Sequence, residues 1–175
     1  GLNRTIIGKT ITRLTEYRPG TVEKMKGITK LGQVKSVDRR GKYIIISTAE
    51  GCKCIIHLRM TGKLIFEQDP EKTSSHCRAE FLFMDESKLI FDDVRTFGTI
   101  RVLPIPEPVA QLEALGAEPL SDEFDTGYLS DKIRTRTGPI KNLLLNHNII
   151  AGLGNIYVFE ILHWTSIRSD TPGIT

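Results

Sequence analysis

A chain of 175 residues with a net charge of +3 has room for one large domain or two small ones. Hydrophobic residues make up 39% and charged residues 26%, which excludes disorder and leaves enough apolar side chain for a packed core. No apolar run approaches a membrane span and no charged-then-apolar leader opens the chain, so an intracellular, soluble protein is expected.

The opening GLNRTIIGKTI reads as the end of a helix running into a strand. From Gln33 to Leu103 the pattern changes to short β-rich runs separated by turn residues. QVKSVDR and KYIIIST flank Arg40-Gly41, CKCIIHLRM follows Glu50-Gly51, and GKLIFE follows Thr61. CRAEFLFM and KLIFDDV flank Asp85-Glu86-Ser87, and GTIRVL closes the series. Strands at this spacing predict an antiparallel sandwich or barrel. PIPEP, residues 104–108, is expected to end the last strand and serve as a linker. Beyond it the period turns helical: VAQLEALG, a helix within Ser121–Arg136, PIKNLLLNHNII with Pro139 at its start, and the amphipathic IYVFEILHW. The predicted class is α+β, with a β-sandwich over residues 1–106 and a helical domain over 107–175.

The three cysteines, an odd number, argue against a disulfide framework, and no fourth ligand stands at finger-like spacing to make a zinc site. Basic residues gather in two stretches: Lys24, Lys26, Lys30, Lys35, Arg39, Arg40 and Lys42, then Lys132, Arg134, Arg136 and Lys141. A basic run is ordinarily a solvated face; two of them raise the nucleic-acid reading without settling it. In NHNIIAGLGNIYVFE, a Gly-rich turn between two helices sets Asn155 at the start of the second. Backbone N–H groups and a helix dipole there suit a phosphate, although a plain helix–helix turn capped by Asn would look the same.

IIAGLGNIYVFEIL resembles the helix–two-turn–helix signature of the formamidopyrimidine-DNA glycosylase and endonuclease VIII family. Further landmarks follow in family order: RRGKYIII at 39–46, HLRMTGKL at 57–64, DDVRTFGT at 92–99, LGAEPLSDEF at 115–124 and PIK at 139–141. The resemblance spans nearly the whole chain. It implies a monomeric enzyme that binds damaged double-stranded DNA, excises oxidised purines such as 8-oxoguanine and formamidopyrimidines, and cleaves the abasic strand. Such an enzyme draws the damaged base out of the duplex and must fill the gap. The resemblance gives that role to Met60, an unbranched apolar wedge, and to Arg95 and Phe97, which alternate in a segment read as extended and so point the same way. It places Lys42 on phosphate close to the reacting sugar, Lys141 near the base pocket, Asn155 on phosphate, and Glu160 in support of the active site. His57 is expected to support the DNA-facing strand, with a purely structural role as its rival; His147 and His163 read as structural.

The chain departs from the family pattern at Ser74, where a DNA-contacting histidine is usual. It departs again at Asn142 after the lysine, at Phe159 where a small or acidic residue is usual, and at Arg168-Ser169. The family nucleophile, an N-terminal proline followed by glutamate, would precede residue 1. Pro19 is internal, its nitrogen is an amide, and the family's four-cysteine zinc finger would follow residue 175. No cofactor is expected within these residues. Two readings stay open, a piece of an active enzyme and a degenerate paralogue that binds DNA without cutting it. A β-sandwich interaction module would fit the composition but not the ordered landmarks.

Overall fold

Through the first half of the chain, short runs rich in Ile, Val, Phe and Thr lie between turn residues, the composition that strands favour. The computed structural model, which describes residues 1–173, turns these runs into strands. A short helix α1 (Leu2–Ile6) buries Ile6 and leads into β1 (Thr10–Glu16). There follow β2 (Val22–Lys24), β3 (Gly32–Arg40), β4 (Tyr43–Thr48), β5 (Cys52–His57), β6 (Lys63–Glu67), β7 (Cys77–Phe83), β8 (Lys88–Asp92) and β9 (Thr99–Pro104).

The strands run in the order β2-β9-β5-β4-β3-β1-β7-β8-β6. β1 and β3 are joined only by Thr10↔Gln33 and Ile11↔Gly32, so the ladder is weakest there. Phe81, Phe83, Leu89 and Phe91 from one side of that seam share a single buried cluster with Val34, Ile46, Cys54, Ile56, Ile100 and Val102 from the other. The ladder therefore folds over at β1–β3 into two packed layers, as a sandwich does. The pairing is antiparallel except for β2 and β9, which run parallel from Val22↔Ile100 to Lys24↔Val102. That parallel edge is a departure from the all-antiparallel expectation, and β9 also extends one residue into the proline-rich segment.

A division of the chain falls at Glu107, with Gly1–Glu107 forming one unit and Pro108–Thr175 the other. The second unit contains α2 (Ala110–Glu113), α3 (Thr126–Ile133), α4 (Ile140–Leu144) and α5 (Asn155–Trp164). The Asp125 carboxylate caps α3 by accepting from the Tyr128 amide at 2.6 Å. Leu143, Leu144, Ile149, Ile150, Leu153, Val158 and Leu162 make its core. α4 is shorter than PIKNLLLNHNII suggested. The Asn146 side chain accepts from the Asn148 amide at 3.0 Å and its carbonyl from the Ile149 amide at 2.8 Å, so a turn replaces the helix. Among the described residues, no helix is long and apolar enough to cross a membrane.

Candidate nucleic-acid interface

β5 stops at His57 because that side chain takes over a backbone donor: Nδ1 accepts from the Arg59 amide at 3.0 Å. An acceptor nitrogen carries no proton, so the neutral ring bears its hydrogen on Nε2. The imidazole also stands edge-on to Tyr43, with centroids 4.6 Å apart. This holds Arg59 at φ 54°, outside the ordinary range for a side-chain-bearing residue, and throws Met60 outward at 75% exposure. Gly62 closes the turn, where a Cβ would lie 2.4 Å from the Leu58 carbonyl oxygen.

The second turn, between β8 and β9, corrects an expectation. Arg95 and Phe97 do not alternate along an extended segment; residues 93–98 curl, with Thr96 at φ 60°. The cause is Asp93, a carboxylate only 1% exposed. Its Oδ1 accepts from the Arg95 amide at 3.2 Å and its Oδ2 from the Gly98 amide at 2.8 Å. Even so, Arg95 and Phe97 come together, the guanidinium lying 5.1 Å from the ring centroid. Arg95 Nη1 also reaches Met60 Sδ at 3.4 Å. Met60, Arg95 and Phe97 thus form one exposed group, two apolar side chains joined by a cation.

The two turns are tied together. The Thr61 hydroxyl donates to Asp93 Oδ1 and accepts from the Arg95 amide at 3.3 Å. Burial pushes the Asp93 carboxyl up, but the Thr61 hydroxyl and the amides of Gly98, Arg95 and Phe97 more than offset it and hold it below the ordinary carboxylate range. Sequence reading assigned Asp93, Thr61 and Gly98 no role. The available signal was local: an Asp whose side chain can bond the amide two residues on, as Asp does in tight turns.

Lys42 sits at the tip of the β3–β4 hairpin, after Gly41 at φ 56°. Arg39 Nη1 donates to the Gly41 carbonyl at 2.8 Å and braces that tip. Partial desolvation lowers the Lys42 pKa from its ordinary value. Ser74, in the usual histidine's place, is committed inward: its hydroxyl donates to the buried Asp92 carboxylate.

In the second unit, Gly154 occupies the cap position of α5 and makes no side-chain bond. Asn155 is the first helical residue, exposed beside the free N–H groups of that helix, and so is available to a ligand and not spent as a cap. Glu160 lies exposed on the same helix. Lys141 is half-buried on α4 with Nζ 4.3 Å from the Phe159 ring centroid. Phe159, unusual by family pattern, therefore lies against Lys141. Arg168 pairs with Asp170 through two bonds of 3.1 and 2.9 Å. The residues present do not suit zinc: Cys52 and Cys54 are buried in β5, and among the described residues no three His, Cys, Asp or Glu side chains converge on a metal position.

Known proteins resemble the chain over nearly its whole length. Residues 1–100 match the formamidopyrimidine-DNA glycosylase N-terminal domain, and residues 115–175 match the formamidopyrimidine-DNA glycosylase H2TH domain. A formamidopyrimidine-DNA glycosylase of Wolbachia pipientis is 43% identical over 129 residues, 74% of this chain and 48% of its own length. One from Nostoc punctiforme is 35% identical over 98% of this chain and 63% of its own. The chain thus spans about half to two thirds of the length of these relatives. Among solved structures, the Lactococcus lactis protein in complex with DNA containing Fapy-dG superposes with a TM-score of 0.88 at 31% identity, over 98% of this chain and 67% of that one. The same protein with DNA containing an abasic site gives 0.85 at 31% identity, over 98% of this chain and 65% of that one. The chain belongs to the formamidopyrimidine-DNA glycosylase family.

Proposed function

We propose that this chain forms the base-extruding and duplex-gripping part of a base-excision DNA glycosylase and abasic-site lyase acting on oxidised purines. The observation that carries the reading is the group of Met60, Arg95 and Phe97, two exposed apolar side chains and a cation held together on paired turns. Apolar side chains of this kind enter a base step and occupy the volume of a flipped base, and a guanidinium can pair with the orphaned partner or a phosphate. Lys42 is assigned to the phosphate beside the reacting sugar, where its lowered pKa supports a part in proton transfer during strand cleavage. Asn155 and the first amides of α5 are assigned to phosphate, Lys141 to the base pocket and Glu160 to support of the active site. The partner is damaged double-stranded DNA bound by a monomer at the nucleoid, and no step runs through a metal.

The covalent step proposed for the whole enzyme is attack of a terminal secondary amine on the anomeric carbon, which breaks the glycosidic bond and releases the base; opening of the sugar ring at that carbon then gives an iminium that β- and δ-elimination resolve. A polypeptide of these 175 residues carries the Gly1 amine instead and is proposed to bind lesion DNA without excising the base. A second reading, a paralogue that binds but does not cut, draws support from Ser74 being tied to Asp92 and Phe159 lying against Lys141.

Borohydride trapping on duplexes carrying one 8-oxoguanine or one abasic site separates the two. It compares this polypeptide with a version extended N-terminally from its source gene. The adduct is expected only with the extended version. Lesion binding without adduct by both favours the paralogue, and equal affinity for undamaged and lesion DNA refutes both. Binding is expected to weaken steeply with salt, and Lys42→Ala to reduce the slope of log affinity against log salt by about 1.

A further inference from the structure

The glycosylase reading gives Met60, Arg95 and Phe97 their job but leaves open what keeps two separate turns acting as one tool. We infer that Asp93 is the positioning residue that locks the Met60 turn to the Arg95–Phe97 turn, with Thr61 as its link, so that the wedge stands formed before DNA arrives. The inference rests on the wedge assignment proposed above.

Four features place it there. Asp93 is buried, yet it lies at the base of an exposed turn, where a carboxylate facing water would be the cheaper arrangement. Its two oxygens divide the work: Oδ2 takes the Gly98 amide, while Oδ1 takes the Arg95 amide and the Thr61 hydroxyl from the other turn. Thr61 closes a triangle by accepting from the same Arg95 amide, so displacing either turn breaks bonds in both. Finally, Gly98 is packed to the limit. A Cβ there would fall 2.4 Å from the Phe91 ring, 3.1 Å from the His57 carbonyl oxygen and 3.2 Å from Asp93 Oδ2, which fixes the carboxylate against the sandwich core.

Asp93 is buried with its carboxylate committed to Thr61, Arg95 and Gly98, so it acts through Met60, Arg95 and Phe97. Its removal should therefore spare phosphate-driven affinity and lower discrimination for damaged DNA. The experiment measures affinity for undamaged and abasic-site duplexes by fluorescence anisotropy across a salt series. A 2-aminopurine opposite the abasic site reports insertion. The full chain is compared with Thr61→Val, Asp93→Asn, Phe97→Ala, and the pairs Thr61→Val/Phe97→Ala and Asp93→Asn/Phe97→Ala. Thr61→Val keeps the size of the side chain and the bonds within the second turn, and severs only the link, so it remains informative if Asp93→Asn unfolds.

The expected result is an abasic-to-undamaged affinity ratio about tenfold lower for Thr61→Val and for Asp93→Asn, the equivalent of one charge-assisted hydrogen bond, with the salt slope unchanged. Each change should reduce the ratio by less once Phe97 is Ala, because part of what the link positions is already gone. If Phe97→Ala loses discrimination while folded Thr61→Val keeps the parental ratio and 2-aminopurine signal, the positioning role is overturned and the wedge stands. If Phe97→Ala itself keeps the parental ratio, the wedge assignment falls and the inference falls with it. Additive losses in the pairs overturn it as well, because Asp93 would then act by another route.

Discussion

The helical unit hangs on one hydroxyl, and Tyr128→Phe should show it. Tyr128 Oη accepts from the Ala117 amide at 2.9 Å and donates to the Ile149 carbonyl at 2.9 Å. Both partners are buried, Ala117 at 5% exposure and Ile149 at 1%. Around this bridge the Gly116 amide reaches the His147 carbonyl at 2.9 Å and the Ala151 amide the Ala117 carbonyl at 2.9 Å. The 115–117 segment is thereby clasped to the turn that precedes α5. A buried donor left without a partner costs about 1–3 kcal/mol, and the stranded carbonyl adds to this; Tyr128 is half-buried, so water recovers part, and about 2 kcal/mol is expected. For a unit of this size that corresponds to roughly 10 °C in Tm. Urea unfolding followed by circular dichroism gives the free energy, and hydrogen exchange at the Ala117 amide reports the clasp directly. Tyr157→Phe, a change at 69% exposure, is the matched control and should be silent. A loss below about 0.5 kcal/mol with the Ala117 amide still protected would refute the reasoning, since the donor would then be satisfied elsewhere.

Three other outcomes test the same physics. Lys88 and Glu80 form an ion pair of 3.4 Å with side chains 12% and 5% exposed, so Lys88→Met strands a buried charge and should cost about 3 kcal/mol in urea unfolding, most of it recovered by adding Glu80→Leu. The Asp93 and Asp85 carboxyls are both depressed in the folded chain, Asp85 to about 2 through the Lys9 and Ser87 side chains. Their contribution is whole above the ordinary aspartate range and is lost as pH falls through the folded values, so the urea midpoint should decline from about pH 4 toward pH 2, less steeply in Asp93→Asn and Asp85→Asn. Cys52 and Cys54 are buried, burial pushes the Cys54 thiol up to about 12, and the half-buried Cys77 is also raised by burial. An aromatic disulfide reagent at neutral pH should therefore label the native chain slowly and all three thiols at once in urea.

The α+β class was legible because strand and helix periods differ and each half of the chain keeps one of them. In β3, Gln33 and Lys35 are exposed on either side of buried Val34, and the alternation stops where the register shifts between Val34 and Ser36. What escaped depends on distant partners. β2 is three residues with no alternation to read, and it exists as a strand because β9 lies alongside it. Ordered landmarks single out Met60, Arg95 and Phe97, but the alternation that points Arg95 and Phe97 the same way assumes an extended segment that is in fact curled. Asp92 and Asp93 are neighbours of one type. Only the fold shows that the first receives Ser74 and the second organises the turns. The contact of Lys141 with Phe159 joins two helices, so no local pattern announces it.

The left-handed residues explain why so much hydrogen bonding is concentrated beneath these turns. Arg59 and Thr96 immediately precede Met60 and Phe97, and both carry side chains at φ values that favour glycine. Such positions cost about 1–3 kcal/mol each and persist only where the surroundings over-determine them. His57 supplies that constraint at Arg59, and Asp93 with Thr61 supplies it at Thr96. Glycine would relieve the strain at either position, but it would also loosen the residue that follows. A wedge free to fold back onto the sheet would have to be ordered each time it entered a duplex, and that cost would come out of binding. Strained residues held by buried bonds keep Met60 and Phe97 extended from the start. Under the proposed wedge role, the sequence gives up stability within one unit to hold apolar side chains where a disrupted base stack can cover them.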